Sequence, residues 1–251
     1  MNKNMLIANL GCGTKTSGDH RVVNIDRSIY LILKKHKYLR LAAKSLFNDF
    51  RFQLVDKIPD NVIVHDLSKG IPFGDDSVDA VYHSHVLEHI DRDKVELFLG
   101  EVKRVLRPGG IHRIVVPDLE NLCREYLGHI EACDKSPQEM VGHEDYIAAI
   151  IEQSVRKESA ISRKQRPLKR LIENLLLGDA RKRCETHQWM YDRINLRSML
   201  VSLGYQDVKT QSFNTSDIPD WNEIGLDLDE RGNPYKPGSL FIEAIKPGLH
   251  T

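Results

Sequence analysis

Three imidazoles and a carboxylate crowd one short stretch, His83-Ser84-His85-Val86-Leu87-Glu88-His89. Imidazole titrates near neutrality, so it is the side chain best suited to take a proton from a hydroxyl or amine as that atom attacks an electrophile. His85 and His89 are therefore the candidate bases. A second reading has Leu87-Glu88-His89-Ile90 start a helix, with His89 packing or capping it. The run also resembles a ligand set for a metal ion, because imidazoles two apart on a strand project to one side. Its spacing argues against that: Glu88 falls one position late for a His-x-His-x-acid-His pattern, and no later His-rich segment completes a second site. No metal is expected.

A second group lies near the start of the chain. The apolar run Met5–Leu10 leads directly into Gly11-Cys12-Gly13, and glycines at such a turn permit positive φ and let a ligand approach the backbone. Asp26 ends the next apolar run, where a carboxylate can accept hydrogen bonds from two ribose hydroxyls, and Asp66 ends the third, placed to receive an exocyclic amine. A dinucleotide would need a third glycine and a helix N-terminus for its pyrophosphate. Here Thr14 follows Gly13, and Gly11 to Arg21 is barely long enough for a parallel crossover. A nucleoside without phosphates suits this site better.

These residues need a frame that brings them to one edge. Arg21–Asp26, Asn61–Asp66, Ser77–His83 and Ile111–Val116 read with Met5–Leu10 as buried strands. Between the last two, Val95, Phe98, Leu99, Val102 and Leu106 recur at helical spacing, and Pro108-Gly109-Gly110 stops that helix. Strands alternating with helices predict a doubly wound α/β fold with a mostly parallel sheet, whose ligands gather at the carboxyl ends of the strands. Further on, Leu196–Leu203 reads as a helix closed by Gly204, and Tyr205–Phe213 and Ser239–Ile245 as a terminal strand pair. Residues 28–60, basic and partly amphipathic, and 119–186, a charged helical insertion before the last helix, fall outside the alternation. Both read as lids or acceptor-side insertions of one domain spanning 1–251. A membrane-surface helix is the lesser reading for them, since Lys and Arg on an amphipathic helix commonly form its wet face.

The 251 residues carry 36 basic and 36 acidic side chains, so no global field draws in DNA or an anionic membrane. The charge is unevenly spread. Residues 156–183 are strongly basic, whereas residues 217–230 hold six acids and no base, an asymmetry read as solvated or self-paired faces. No aromatic residues interleave with the basic stretch, which argues against a nucleic-acid partner. Four cysteines without any C-x-x-C argue for reduced thiols and a cytoplasmic protein.

The stretches 8–26, 65–90, 101–118 and 187–205 resemble, in that order, the class I S-adenosylmethionine-dependent methyltransferases, in particular a small bacterial group with a compressed first loop. The resemblance implies a Rossmann-like sheet of seven strands with the last one antiparallel, and S-adenosyl-L-methionine as cofactor. It implies Asn9, Gly11 and Gly13 against the methionine part, Asp26 on the ribose, Asp66 and Leu67 beside the adenine, and His83 and Ser84 at the sulfonium end. His187, Trp189 and Tyr191 would face the acceptor, or Trp189 and Tyr191 would anchor the insertion. Asn9 departs from the family, which has an acid there. The implied activity is methyl transfer to a small-molecule or saccharide hydroxyl, as in saccharide biosynthesis; the alternative is a protein that binds the cofactor without catalysis and serves as partner or sensor. Asp220-Trp221-Asn222-Glu223 and Tyr235-Lys236-Pro237 carry no assigned role.

Overall fold

The computed structural model describes residues 5–27, 61–154 and 186–248. The predicted segment 28–60 lies outside them, as do the basic stretch 156–183 and part of the insertion. The described strands are β1 (Ile7–Leu10), β2 (Val22–Asp26), β3 (Val62–Val64), β4 (Val78–Ser84), β5 (Leu106–Pro117), β6 (Gln206–Gln211) and β7 (Ser239–Ile245). They form one seven-stranded sheet in the order β3-β2-β1-β4-β5-β7-β6. The first five run parallel, and β7 lies antiparallel between β5 and β6. Strand order reverses at β1, with β2 added on one side and β4 on the other, and a crevice at such a point is where ligands bind in doubly wound sheets.

The central strands β1 and β4 are mostly buried and apolar because both faces of the sheet are covered there. On one face α1 (Val95–Val105) and α4 (Arg193–Ser202) pack Phe98, Leu99, Val102, Leu196 and Leu200 against Leu10, Val81 and Ile114. α4 begins on a capping box in which the Asp192 carboxylate accepts from Ile194 and Asn195 backbone N–H groups and Asn195 returns a bond to Asp192. α1 ends at Val105, earlier than Pro108 requires. Leu106 already has extended geometry and pairs with Val78, and Gly109 and Gly110 exchange hydrogen bonds with Lys246. Strand pairing rather than the proline sets that boundary. Within the insertion, α2 (Leu119–Lys135) and α3 (His143–Gln153) are described.

The other face is covered differently. The β1–β2 connection forms no helix; an asparagine network holds it flat. The Asn9 amide donates to Lys15 O (3.1 Å) and Asn24 Oδ1 (2.9 Å), while Asn24 and Asn61 both donate to Ser17 O at 3.0 Å. Over it lies the segment leading to β7, including the single turn α5 (Trp221–Ile224). Ile218, Trp221, Ile224 and Leu226 pack on Ile7, Val22, Ala80 and Tyr82, where a crossover helix would otherwise sit. The acidic segment is thus partly core: Asp220 pairs with Arg21 and Asp227 with the buried Arg113.

Strand pleating corrects one predicted site residue. Successive β4 side chains alternate between faces, so Ser84 points to the cavity side and His83 to the helical side. His83 is fully buried between Phe98 and His112, its Nε2 2.9 Å from His112 Nε2. It does not approach the glycine turn. Burial pulls His83 down to about 3, and His112 well below the usual imidazole range. Both groups take up protons more readily unfolded than folded, so the stability they confer is complete above about pH 6.5 and is lost as pH falls toward 3. Urea unfolding between pH 6 and 4 is expected to show stability falling by about 1.4 kcal/mol per pH unit for each such histidine. His112→Leu should remove about one histidine's worth of that slope; an unchanged slope would contradict the burial argument.

Candidate active site

The carboxyl ends of β1 and β4 open into a cavity of about 210 Å³, lined among others by Asn9, Gly11, Cys12, Gly13, Lys15, Ser84 and His85. Gly11 and Gly13 adopt φ of +63° and +53°. A Cβ on Gly11 would lie 2.5 Å from Val86 Cγ2, so that position excludes any other residue, whereas one on Gly13 would project into open space. The turn is fastened by Asp26, whose Oδ2 accepts the Gly13 N–H at 2.7 Å. A carboxylate has about four lone-pair positions, so Asp26 can hold the turn and still accept hydroxyls. Ser84 Oγ is buried without a hydrogen-bond partner among the described residues, an orphaned group at the cavity wall.

These features fit an amino-acid-bearing nucleoside. Pockets that enclose a ligand of that size run roughly 300–1,000 Å³, so 210 Å³ accounts for one end of it. At the end of the third strand, Asp66 caps the 3₁₀ turn Leu67–Lys69 through Ser68 N and Oγ and pairs with Arg27. Asn9 is buried and contributes through the loop network, its amide nitrogen already engaged.

His85 stands on the cavity wall directly after β4. Its backbone is left-handed (φ +53°), an uncommon state for a residue with a Cβ and one that concentrates at functional sites. Nε2 lies 2.9 Å from Ser239 Oγ, and Nδ1 lies 3.3 Å from Glu88 Oε1. Burial, aided by the Lys236 charge, pulls His85 down to about 3, so its ring is neutral. Burial pushes Glu88 up to about 8. His89 is off the cavity: its Nδ1 contacts Thr186 O at 3.2 Å and its ring meets His187 edge-on, with burial pulling it to about 4. The 3₁₀ turn Leu87–His89 replaces the expected helix start.

The residues predicted to face an acceptor divide. Tyr191 is 1% exposed, bridges to Asp118 and is pushed to about 12 by burial, so it anchors the insertion and its side chain presents nothing to a ligand. Trp189 is 41% exposed with the Arg92 guanidinium 5.1 Å from its ring centre. His187 packs against His89. Tyr235 and Lys236, which carry no role in the sequence pattern, line the cavity from the β6–β7 connection, Tyr235 with the Lys15 ammonium 4.9 Å from its ring centre. Burial pushes the Cys12 thiol up to about 12, with the Asp26 charge adding to the shift, so it remains protonated. A wider depression of about 640 Å³ along α4 and β6, past Arg197 and Lys209, holds none of these groups.

A family model for the methyltransferase domain matches residues 9–114, which span β1 through most of β5. No curated protein matches the chain in sequence. Among solved structures, the chain resembles DhpI in complex with SAH (18% identity, TM-score 0.47, covering 99% of this chain and 79% of that one). It also resembles a SAM-dependent methyltransferase from Archaeoglobus fulgidus (15%, 0.42, 97% and 86%) and YcgJ from Bacillus subtilis (12%, 0.44, 98% and 93%). The domain match lies on the strands that build the glycine turn, Asp26 and His85, so residues 9–114 of this chain match a methyltransferase domain.

Proposed function

We propose that this methyltransferase acts on a hydroxyl of a small molecule, with saccharide hydroxyls the first class to try, and that it works in the reducing cytoplasm. No helix among the described residues is long and apolar enough to cross a membrane. The observation that carries the reading is His85, a neutral imidazole held in a left-handed conformation on the wall that faces the Gly11–Gly13 turn. The cofactor, when bound, supplies an electrophilic methyl group on a sulfonium. The chain aligns the nucleophile and removes its proton. His85 Nε2, now beside the Ser239 hydroxyl, would take that proton. Asp26 would hold the ribose, Asp66 and Leu67 the adenine, and Gly11, Gly13 and Ser84 the methionine part, with Asn9 shaping the loop behind it. Trp189 offers a flat, half-exposed face of the kind sugar rings use.

Calorimetric titration with S-adenosylhomocysteine, with NAD as control, is expected to show micromolar binding of the first and none of the second. Asp26→Ala should weaken it at least tenfold. Incubation with S-adenosylmethionine and nucleotide sugars should then release S-adenosylhomocysteine. Binding without turnover on any hydroxyl acceptor would favour the sensor reading; silence from both ligands would overturn the site.

A further inference from the structure

The turn after β4 and the irregular segment 186–191 bring Glu88, His89 and His187 together, each with one ligand atom within 4.8 Å of the others. We propose that these three side chains bind one divalent transition-metal ion, of the class of Zn²⁺, Mn²⁺ or Fe²⁺. Two histidines and one carboxylate are a recurrent donor set for such ions, with positions left open for oxygen ligands.

Three observations support it. Glu88 is 1% exposed, and neither carboxylate oxygen makes a hydrogen bond among the described residues; His85 Nδ1 at 3.3 Å and His89 Nε2 at 3.9 Å are nearby chargeable groups. A buried carboxylate left in that state is costly, and a cation is one way to satisfy it. Second, both imidazoles are oriented as metal ligands usually are. His89 Nδ1 lies 3.2 Å from Thr186 O and His187 Nδ1 2.8 Å from Gln153 O, so each ring donates from Nδ1 to a carbonyl and keeps its lone pair on Nε2. Third, the two segments are tied at the backbone, with Gln188 N donating to Glu88 O at 2.6 Å, which holds the ligands in register. Metal bonds of about 2.1 Å in a tetrahedron put ligand atoms about 3.4 Å apart. The 3.9 Å between Glu88 and His89 needs only a small contraction.

The ion would lie beside the proposed base, since Glu88 also approaches His85. Its binding is independent of which acceptor the enzyme uses, or of whether it turns over.

A second cluster, His129, Cys133 and His143 between α2 and α3, contains a thiol and must be silenced in the test. A Cys133→Ser chain is titrated with Co²⁺, followed by visible absorption, and with Zn²⁺ by competition, with circular dichroism checking the fold. One Co²⁺ per chain is expected, without thiolate charge-transfer bands, and His187→Gln and Glu88→Gln should each weaken it at least tenfold. If Glu88→Gln fails to fold, His187→Gln alone decides. No Co²⁺ uptake by Cys133→Ser, or undiminished uptake after His187→Gln, overturns the site.

Discussion

Arg113→Ala is expected to lower the unfolding free energy by about 3–5 kcal/mol, a large part of the stability of an ordinary domain. Arg113 is 0% exposed, and its guanidinium reaches Asp227 (2.8 Å from Nε) and Glu243 (2.7 Å from Nη1), with further bonds to Thr215 O and Ser212 O. Trp221 and Phe241 flank it at 4.9 and 5.5 Å. Truncation would strand two buried carboxylates, and Asp227 also organises Tyr82 Oη and Trp221 Nε1. Breaking a buried pair from one side costs more than replacing the whole set. The triple variant Arg113→Met, Asp227→Asn, Glu243→Gln should therefore recover much of the loss. Urea midpoints at constant pH measure both; a shift below about 1 kcal/mol for Arg113→Ala would show that the stranded acids find other partners.

His85→Asn is expected to lower kcat by about 10²–10⁴-fold, the usual contribution of a positioned base, while leaving S-adenosylhomocysteine affinity within about threefold. Asparagine is the right replacement because it tolerates the left-handed backbone that His85 occupies, so loss of the ring is separated from strain in the turn. Ser239→Ala, which removes the hydroxyl beside Nε2 but keeps the imidazole, should have a smaller effect. Single-turnover rates with saturating cofactor make the measurement. If His85→Asn turns over at the parental rate, the acceptor loses its proton to water or to another group.

The sheet was legible because its central strands are buried on both faces and read as apolar runs, and the glycine turn and Asp26 follow from their places at strand ends. The missing crossover helix was readable from length alone. What was not legible depends on facts that spacing does not carry. His83 and Ser84 both follow from the end of β4, but only pleat parity separates the one packed in the core from the one on the cavity. Arg113 sits in an apolar run where a lone charge was the only sign of a buried ion cluster. The approach of His187 to Glu88 and His89 joins segments far apart in sequence, so the His83–His89 run looked incomplete as a metal pattern. Lys236 and Tyr235 reach the cavity from a loop whose path no periodicity reveals.

The substitution of chain segment for helix on one face of the sheet also sets an order of events. Ser17 Oγ donates to Ile224 O, Arg21 pairs with Asp220 and Lys15 donates to Leu228 O, contacts separated by 207, 199 and 213 residues along the chain. Loop closure over such distances is slow compared with local pairing. On the ribosome the glycine turn emerges well before its outer wall, which lies 199 to 213 residues further along the chain. A nascent chain therefore carries an unwalled glycine turn until that distant segment has followed, and competence to hold the cofactor waits on it.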